Sequence, residues 1–255
     1  MKTAEAIIND TGYPLQIHLR ELITQSQDKH GWHVLAFEHR WENARDGEEG
    51  FIDLILDHGS YVVRLIVECK RISGNWYFLI PRNRAFPTDR AKILHAQFPP
   101  PTFEWHDFRI SPESDQANFS VLATGGKKDS RTLETLAGQL LLSMEALAVQ
   151  EMSFRNDSVS APWRNRFYLP IIVTTAKLQK CTFNPLEIDP DDGSLRDADI
   201  QPLNLVRFRK PLASNQELAP SKNDDIPTLN AAAERTVLIV QASYFLEYLR
   251  RFRFE

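Results

Sequence analysis

The stretch FIDLILDHGSYVVRLIVECKR, residues 51–71, decides the fold of this 255-residue chain, because it contains two apolar runs on either side of His58-Gly59-Ser60. Runs of Val, Ile and Leu bounded by Gly and Ser are typical of the two strands of a hairpin. Each run also contains charge, with Asp53 in the first and Glu68 and Lys70 in the second. A buried charge is costly unless it is paired, so these side chains indicate more than packing.

Hairpin geometry predicts that Asp53 and Glu68 lie opposite each other. Residues of an antiparallel pair face each other when they are equidistant from the centre of the turn, and the midpoint of this pair falls beside Gly59. Directly opposed Cβ atoms lie about 4.5–5.5 Å apart, which is close enough for two carboxylates to share one divalent cation.

One face of the second strand is polar and the other belongs to the core. Glu68 and Lys70 are two positions apart and share a face, whereas Val67 and Cys69 project from the opposite side. Two close carboxylates repel each other unless a cation neutralises them. Mg²⁺ prefers oxygen ligands, which matches Asp53, Glu68 and the backbone carbonyl of Cys69. Beside such a metal, Lys70 could orient an attacking water and stabilise charge that develops during phosphodiester hydrolysis.

The rest of the chain predicts a mixed α/β fold. Residues 14–28 have the apolar spacing of an amphipathic helix, and WHVLAFEHRW is a strand that precedes the hairpin. SRTLETLAGQLLLSMEALAVQE is the clearest helix, and RFYLPIIVTTAKLQKCTF is a continuous apolar strand of the kind that is covered on both faces. Near the end, the strand RTVLIVQ runs into the helix ASYFLEYLRRFRF. We expect one domain over residues 1–255, in which the core is 12–81 and 132–183, 82–131 is an insertion, and 184–255 is a loop-rich C-terminal extension.

Composition limits the class of protein. The net charge of −4 gives no global basic footprint, so any binding of nucleic acid must depend on local patches. Cys69 and Cys181 form no metal-type pair, and no apolar run approaches the roughly 20 residues of a membrane helix. The first residues lack the features of a secretory signal. We therefore expect a cytoplasmic protein that does not enter a membrane.

Asp53, fourteen intervening residues and then Glu68-Cys69-Lys70, preceded by an amphipathic helix, resemble the PD-(D/E)XK nuclease superfamily. The resemblance covers residues 12–81, and the helix 132–149 and strand 167–178 fit the elements that complete this core. Ile52 stands where the name of the family has Pro. The fold implied is α/β, with a restriction-endonuclease-like core of mixed β-sheet flanked by helices and with inserted loop-rich segments.

The resemblance also implies a function and roles for individual residues. Glu21 on the first helix matches an acid that many members aim at the metal, and Gln139 matches a glutamine that some members place on the later helix. The implied catalytic set is Asp53, Glu68, Lys70, Glu21 and Gln139, and the implied metal ligands are Asp53, Glu68, Cys69 and Glu21. The implied activity is Mg²⁺-dependent hydrolysis of DNA, with Mn²⁺ as a substitute, in restriction, repair or anti-phage defence.

Other interpretations stay open. The chain could be a catalytically silent nucleic-acid-binding or scaffolding subunit, although a degenerate site usually loses one of the three charged residues. A metal-independent hydrolase would need a nucleophile, and no G-x-S-x-G or Cys/His signature is present. The charges of the hairpin also fit a solvated edge, and Glu21 fits a surface acid that pairs with Arg20 or Arg40.

Net charge and the C-terminal sequence bear on the partners of the protein. A chain at −4 attracts a polyanion weakly, so we expect a homodimer or a subunit of a larger defence or repair complex. The aromatic segment YFLEYLRRFRF is a candidate surface for that contact, with packing on the sheet as the alternative.

Overall fold

The structure is a computed structural model that describes residues 3–43, 47–59, 62–83, 86–98, 100–124, 127–129, 132–153, 165–212 and 225–255. The helices are α1 (Ala4–Asp10), α2 (Tyr13–Gln25), α3 (Gln27–His30), α4 (Thr132–Ser153), α5 (Ile226–Ala233) and α6 (Phe245–Arg251). The strands are β1 (Trp32–Glu42), β2 (Glu49–His58), β3 (Val63–Lys70), β4 (Asn75–Pro81), β5 (Arg90–Gln97), β6 (Thr102–Ser111), β7 (Gln116–Ala117), β8 (Phe119–Thr124), β9 (Lys127–Asp129), β10 (Asn165–Thr174), β11 (Lys177–Phe183), β12 (Asp199–Leu203), β13 (Leu205–Pro211), β14 (Glu234–Gln241) and β15 (Arg253–Phe254). Short 3₁₀ turns occur at Pro185–Glu187 and Ala242–Tyr244.

A mixed sheet of ten strands forms the centre of the described part of the chain. Its main path is β1-β2-β3-β10-β14-β13-β7, while β5 joins β10, β6 joins β5 and β15 joins β6. The hairpin strands β2 and β3 are antiparallel, whereas β10 runs parallel to both β3 and β14. The expected α/β class, with a mixed sheet flanked by helices, is confirmed, and the restriction-endonuclease-like core stays a prediction.

A second sheet has five strands in the order β12-β11-β4-β8-β9. Its side chains Trp76, Phe78 and Leu178 belong to the same buried cluster as the apolar stripe of α4, which packs on one face of the central sheet. The helices α2 and α6 contribute to a separate cluster with the opposite faces of β2, β3, β10 and β14. The hairpin therefore lies between helices on both sides, as its apolar runs require.

Local sequence explains where α2 begins and where α3 ends. Pro14 occupies the first turn of α2, where a missing N–H costs nothing, and Leu19 and Ile23 form its buried stripe. Gly31 follows α3 with φ at +74°, a left-handed conformation that disfavours other residues. A Cβ at this position would lie 2.8 Å from the His58 ring, so space as well as conformation requires glycine.

Two of the expected boundaries differ from the structure. Residues 82–131 contain β5 and β6, which extend the central sheet, and are therefore not only an insertion. The expected loop-rich extension, 184–255, supplies β13, β14 and α6 to the same sheet and core. Both segments contain Pro-rich and polar loops, and the short strands between these loops are therefore difficult to recognise from the sequence pattern.

The apolar segment 166–183 is not one strand. It divides into β10 and β11, which belong to different sheets. At the break, the Thr175 N–H donates to the carbonyl of Lys70, and the Ala176 N–H donates to the Thr174 hydroxyl. Because both strands are buried, their hydrophobicity continues across the break and does not reveal it.

The C-terminal aromatic side chains lie in the core. Phe245, Tyr248, Leu249 and Phe252 are each at most 1% exposed. The indole N–H of Trp32 donates to the carbonyl of Leu249 at 3.2 Å, which fixes α6 against the start of β1. These side chains are therefore buried and provide no surface for a dimer. Packing on the sheet, the stated alternative, explains why they are aromatic.

No helix among the described residues is both long and apolar enough to cross a membrane.

Candidate active site

The β2–β3 hairpin has the register that the sequence predicts. Its ladder runs from Asp57 opposite Arg64 to Leu54 opposite Val67, and one more step along the same register pairs Asp53 with Glu68. Ser60 and Tyr61, at the centre of the predicted turn, lie outside the described residues.

Asp53 closes the end of this ladder with its side chain. Its carboxylate oxygen Oδ2 accepts a hydrogen bond of 2.6 Å from the backbone N–H of Cys69. The side chain of Gln16 on α2 lies close enough to the same carboxylate to lower its pKa. Asp53 is only 7% exposed, so the strand holds a buried acid in one orientation beside the helix.

Burial also controls the protonation of Asp53. Loss of solvent raises its pKa, and the hydrogen bond from Cys69, the nearby Gln16 side chain and the charge of Lys70 offset part of that effect. In the absence of a cation, the site therefore favours the protonated acid more than water does.

Glu68 and Lys70 form an ion pair on the polar face of β3. The Lys70 Nζ lies 2.5 Å from Glu68 Oε1, and the two side chains are 35% and 20% exposed, respectively. Burial raises the pKa of Glu68, the charge of Asp53 raises it further, and Lys70 lowers it. Because the charge of Asp53 affects the pKa of Glu68, the two carboxylates lie close enough to interact, and Lys70 lies beside them.

Cys69 separates the two polar residues and faces the other side of the strand. Its side chain is buried in the cluster that contains α2 and α6. Burial raises the pKa of the Cys69 thiol well above its usual value, so the thiol stays neutral and is a poor metal ligand. Only its backbone carbonyl, as predicted from the sequence, remains available for that role.

Glu38 is a third acid at this site that the sequence analysis did not select. It lies on β1 between Phe37, paired with Leu54, and His39, paired with Ile52, which places it beside Asp53. Its φ of +52° is in the left-handed region, which a non-glycine residue rarely occupies inside a strand. Burial raises the pKa of Glu38 and the charge of Asp53 raises it further. No signal in the apolar pattern of β1 distinguishes this glutamate from an ordinary surface residue.

The structure does not bring Glu21 to the acids. Glu21 is exposed on α2, and its carboxylate accepts a hydrogen bond of 2.7 Å from the Gln25 side chain. Residues five positions apart on a helix are rotated by about 140°, so Glu21 points away from the face on which Gln16 reaches Asp53. The helix does contribute a polar side chain to the site, but that side chain is Gln16.

Gln139 lies near the site, at the wall of an open cleft. The cleft has a volume of about 210 Å³ and lies between α4 and the strands β1, β2 and β3. Its lining includes Gln139 and Ser143 from α4, together with Glu48, Glu49 and Glu68. The cleft is acidic, so it suits a cation better than an unassisted phosphate group.

The donor set fits a hard divalent cation with few protein ligands. The described residues contain no group of three or more His, Cys, Asp or Glu side chains arranged to hold a metal ion. Mg²⁺ is commonly held by one or two carboxylates with water, so Asp53 and Glu68 are the two side chains that would hold it here. The buried Oε1 of Glu38 has no hydrogen-bond partner among the described residues, which leaves this oxygen free to face a cation.

Comparison of the chain with protein-family models, with curated proteins and with solved structures gives no match in any of the three.

Proposed function

We propose that this protein is a metal-dependent nuclease that hydrolyses phosphodiester bonds of DNA, built on a restriction-endonuclease-like core. The observation that carries the proposal is the buried Asp53 carboxylate, held by the Cys69 N–H beside the Glu68–Lys70 pair. A solvated edge would leave these side chains exposed, whereas Asp53 is 7% exposed and accepts a hydrogen bond from the backbone of β3. The cost of burying this acid beside Glu68 is consistent with a site that is built for a cation.

Each residue has a role that follows from its position. Asp53 and Glu68 would hold the metal with the carbonyl of Cys69, and a bound Mg²⁺ or Mn²⁺ would lower the pKa of water and polarise the scissile phosphate. The Cys69 N–H orients Asp53, and the nearby Gln16 side chain favours its charged form. Lys70 is paired with Glu68 and can move its ammonium toward charge that develops on the phosphate oxygens.

The setting implied by this activity is restriction, repair or anti-phage defence. The protein would work in the cytoplasm, where reducing conditions keep Cys69 and Cys181 as free thiols. It would act as a homodimer or as a subunit of a larger complex, because its own net charge of −4 does not attract DNA.

Cleavage assays test the proposal directly. Supercoiled plasmid and a single-stranded oligonucleotide are incubated with the protein in Mg²⁺, Mn²⁺ or EDTA and separated on gels. We expect cleavage with either metal, none in EDTA, and a loss of at least about 100-fold in Asp53→Ala and Lys70→Ala. Cleavage in EDTA, or a variant that cuts at the wild-type rate, would reject the assigned roles. DNA binding without cleavage under every condition would favour the catalytically silent subunit.

A further inference from the structure

A groove at the C-terminus combines arginine side chains that the proposed active site does not use. It has a volume of about 500 Å³ and is lined by Ser111, Pro112, Glu113, Arg250, Arg251 and Arg253. All three arginines are exposed, although the chain as a whole is acidic. The groove is therefore a local concentration of positive charge.

Most of this charge is held in place without being neutralised. The Arg253 guanidinium donates to the backbone carbonyls of Arg250 and Phe252, and Arg251 donates to the Tyr244 hydroxyl at 3.2 Å. Among the described residues, Arg250 alone of the three has an ion pair, a contact of 3.5 Å with Glu247. Guanidinium groups that are fixed by neutral partners retain their charge for a ligand.

Acidic groups beside the groove are few and are engaged. Glu113, which lines the groove, accepts a hydrogen bond of 2.8 Å from the Thr88 hydroxyl. Glu247 faces Arg250, and Glu255 is exposed at the end of the chain. The three arginines keep a positive excess over the single acid in the lining, which is complementary to phosphate.

Aromatic side chains lie on the other side of the short strand β15. Phe254, next to Arg253, has its ring centroid 5.0 Å from that of Phe108 and 4.8 Å from that of Phe167. His95 stacks on Phe167 at 4.5 Å, and the nearby His106 side chain is 47% exposed and pairs with Glu104. Partly exposed rings beside arginines are the combination that binds single-stranded nucleic acid, with bases on the rings and phosphates on the guanidinium groups.

The groove is separate from the acids of the proposed active site. Trp32 contacts both His58, at the end of β2, and Phe252, so the C-terminal arginines lie near that end of the strand. His58 is five residues beyond Asp53, or about 16 Å along an extended strand. A nucleic acid that reaches both places must extend over several nucleotides.

We propose that Arg250, Arg251 and Arg253 bind the phosphate backbone of a single-stranded segment of the nucleic-acid substrate, with the aromatic cluster around Phe254 as the surface for its bases. This inference rests on the proposed nuclease function for the identity of the polyanion. It explains how an acidic chain with an acidic cleft holds DNA, because affinity comes from a remote basic groove.

Binding in EDTA tests the groove without any cleavage. The full-length protein is titrated onto a fluorescent single-stranded oligonucleotide at several salt concentrations, and its affinity is read by anisotropy. We expect Arg250→Gln/Arg251→Gln to weaken binding severalfold and to reduce the slope of log affinity against log salt by roughly 1.4, about 0.7 per phosphate contact. Phe254→Ala should weaken single-strand binding about fivefold or more, because a stacked base is lost.

Control variants separate the groove from general charge and from misfolding. Arg251→Glu should lose affinity, whereas Arg196→Glu, the same change in an exposed loop residue of the other sheet, should not. Thermal unfolding of each variant checks that the fold persists. Wild-type affinity and salt slope in the double variant, or an equal loss in Arg196→Glu, would overturn the proposal. Failure of cleavage while the arginine dependence holds rejects only the nuclease function, and cleavage with unchanged binding rejects only the groove.

Discussion

At the scale of single residues, the position of Asp53 explains why the hairpin has acid inside an apolar run. The carboxylate takes the Cys69 N–H where the β2–β3 ladder ends, so it acts both as a structural acceptor and as a potential ligand. A residue with only a structural role could be Asn or Ser, which accept the same hydrogen bond without a buried charge. The retained charge beside Glu68 therefore favours a function that uses it.

The charge of Asp53 makes metal-free stability depend on pH. Its folded pKa is raised by burial, so the contribution of this group to stability is complete below its unfolded pKa of about 4 and is lost as pH rises through the folded value. In EDTA, we expect the unfolding temperature of the wild type to fall, relative to that of Asp53→Asn, as the pH rises above about 4, because the variant keeps an acceptor for Cys69 but has no buried acid to ionise. Mg²⁺ at neutral pH should raise the wild-type unfolding temperature and leave that of the variant nearly unchanged.

Calorimetry or thermal fluorescence measures this difference. Asp199→Asn, which removes an exposed carboxylate on β12, is the matched control and should keep the wild-type profile. If the unfolding temperatures of the wild type and Asp53→Asn changed in parallel with pH, ionisation of the buried Asp53 would not destabilise the folded protein.

Glu38 provides a second prediction at this scale. Its unpaired oxygen and its repulsion from Asp53 indicate that a cation would be stabilised by this side chain. Glu38→Gln should therefore require roughly tenfold more Mg²⁺ for half-maximal cleavage, while its metal-free form unfolds at a higher temperature. Glu21→Gln, a change of the same chemistry on the exposed side of α2, should alter neither quantity. Equal Mg²⁺ requirements for both variants would place Glu38 outside the site.

The sequence predicts one part of this site and misses the other for identifiable reasons. Asp53, Glu68 and Lys70 could be selected because charge inside an apolar strand has a known cost, and alternation assigns their faces. Glu38 and Gln16 could not be selected from the sequence. The position of Glu38 depends on an unusual backbone angle, and the position of Gln16 depends on the rotation of α2 against the sheet. The same limit applies to Glu21, which is exposed on α2 and whose role at the metal stays a prediction: periodicity identifies the buried stripe of a helix but not which strand residue that stripe meets.

At the scale of elements, the sequence locates strands better than it assigns them to sheets. The hairpin register, β1, α4 and β14 follow from periodicity and from the symmetry of a turn. The division of residues 166–183 between two sheets is set by tertiary pairing, since β10 pairs with β3 and β11 pairs with β4. Those pairings join residues that are about a hundred positions apart, which no local pattern encodes.

The role of α6 as part of the core gives a test at this scale. Leu249 is 1% exposed and packs in the cluster that supports β2 and β3, whereas Leu186 is 87% exposed. Leu249→Ala should reduce the free energy of unfolding by about 2–5 kcal/mol, because it leaves a cavity in the core. Leu186→Ala should change it by less than about 0.5 kcal/mol. Urea unfolding measures both, and equal small effects would return residues 242–255 to the status of an extension.

At the scale of the whole molecule, the proposed function assigns binding and cutting to different places. The cleft beside α4 contains acids, and the C-terminal groove contains arginines, so a polyanion meets attraction at one place and a metal-dependent site at another. In the proposed nuclease, the described residues of one chain present one such pair of acids, Asp53 and Glu68, and one site of this kind would cut one strand at a time. Cleavage of both strands then depends on a second copy or on a second encounter.

The order in which plasmid products appear tests how copies cooperate. Because α6 buries Phe245 and Tyr248, a dimer would use another surface, and the exposed apolar side chains Ile8, Tyr13 and Ile17 on α1 and α2 are one candidate for it. If two copies act together, linear plasmid should form without accumulation of nicked circles, and its rate should rise more steeply than linearly with protein concentration until the dimer is saturated. Ile17→Glu should then convert the products to nicked circles, while Ile226→Glu, an equally drastic change on exposed α5, should have no effect. Light scattering on the same samples gives the oligomeric state.

A monomer that makes double-strand breaks in strict proportion to its concentration would contradict the dimer. Both strands would then have to be cut in successive encounters with one site.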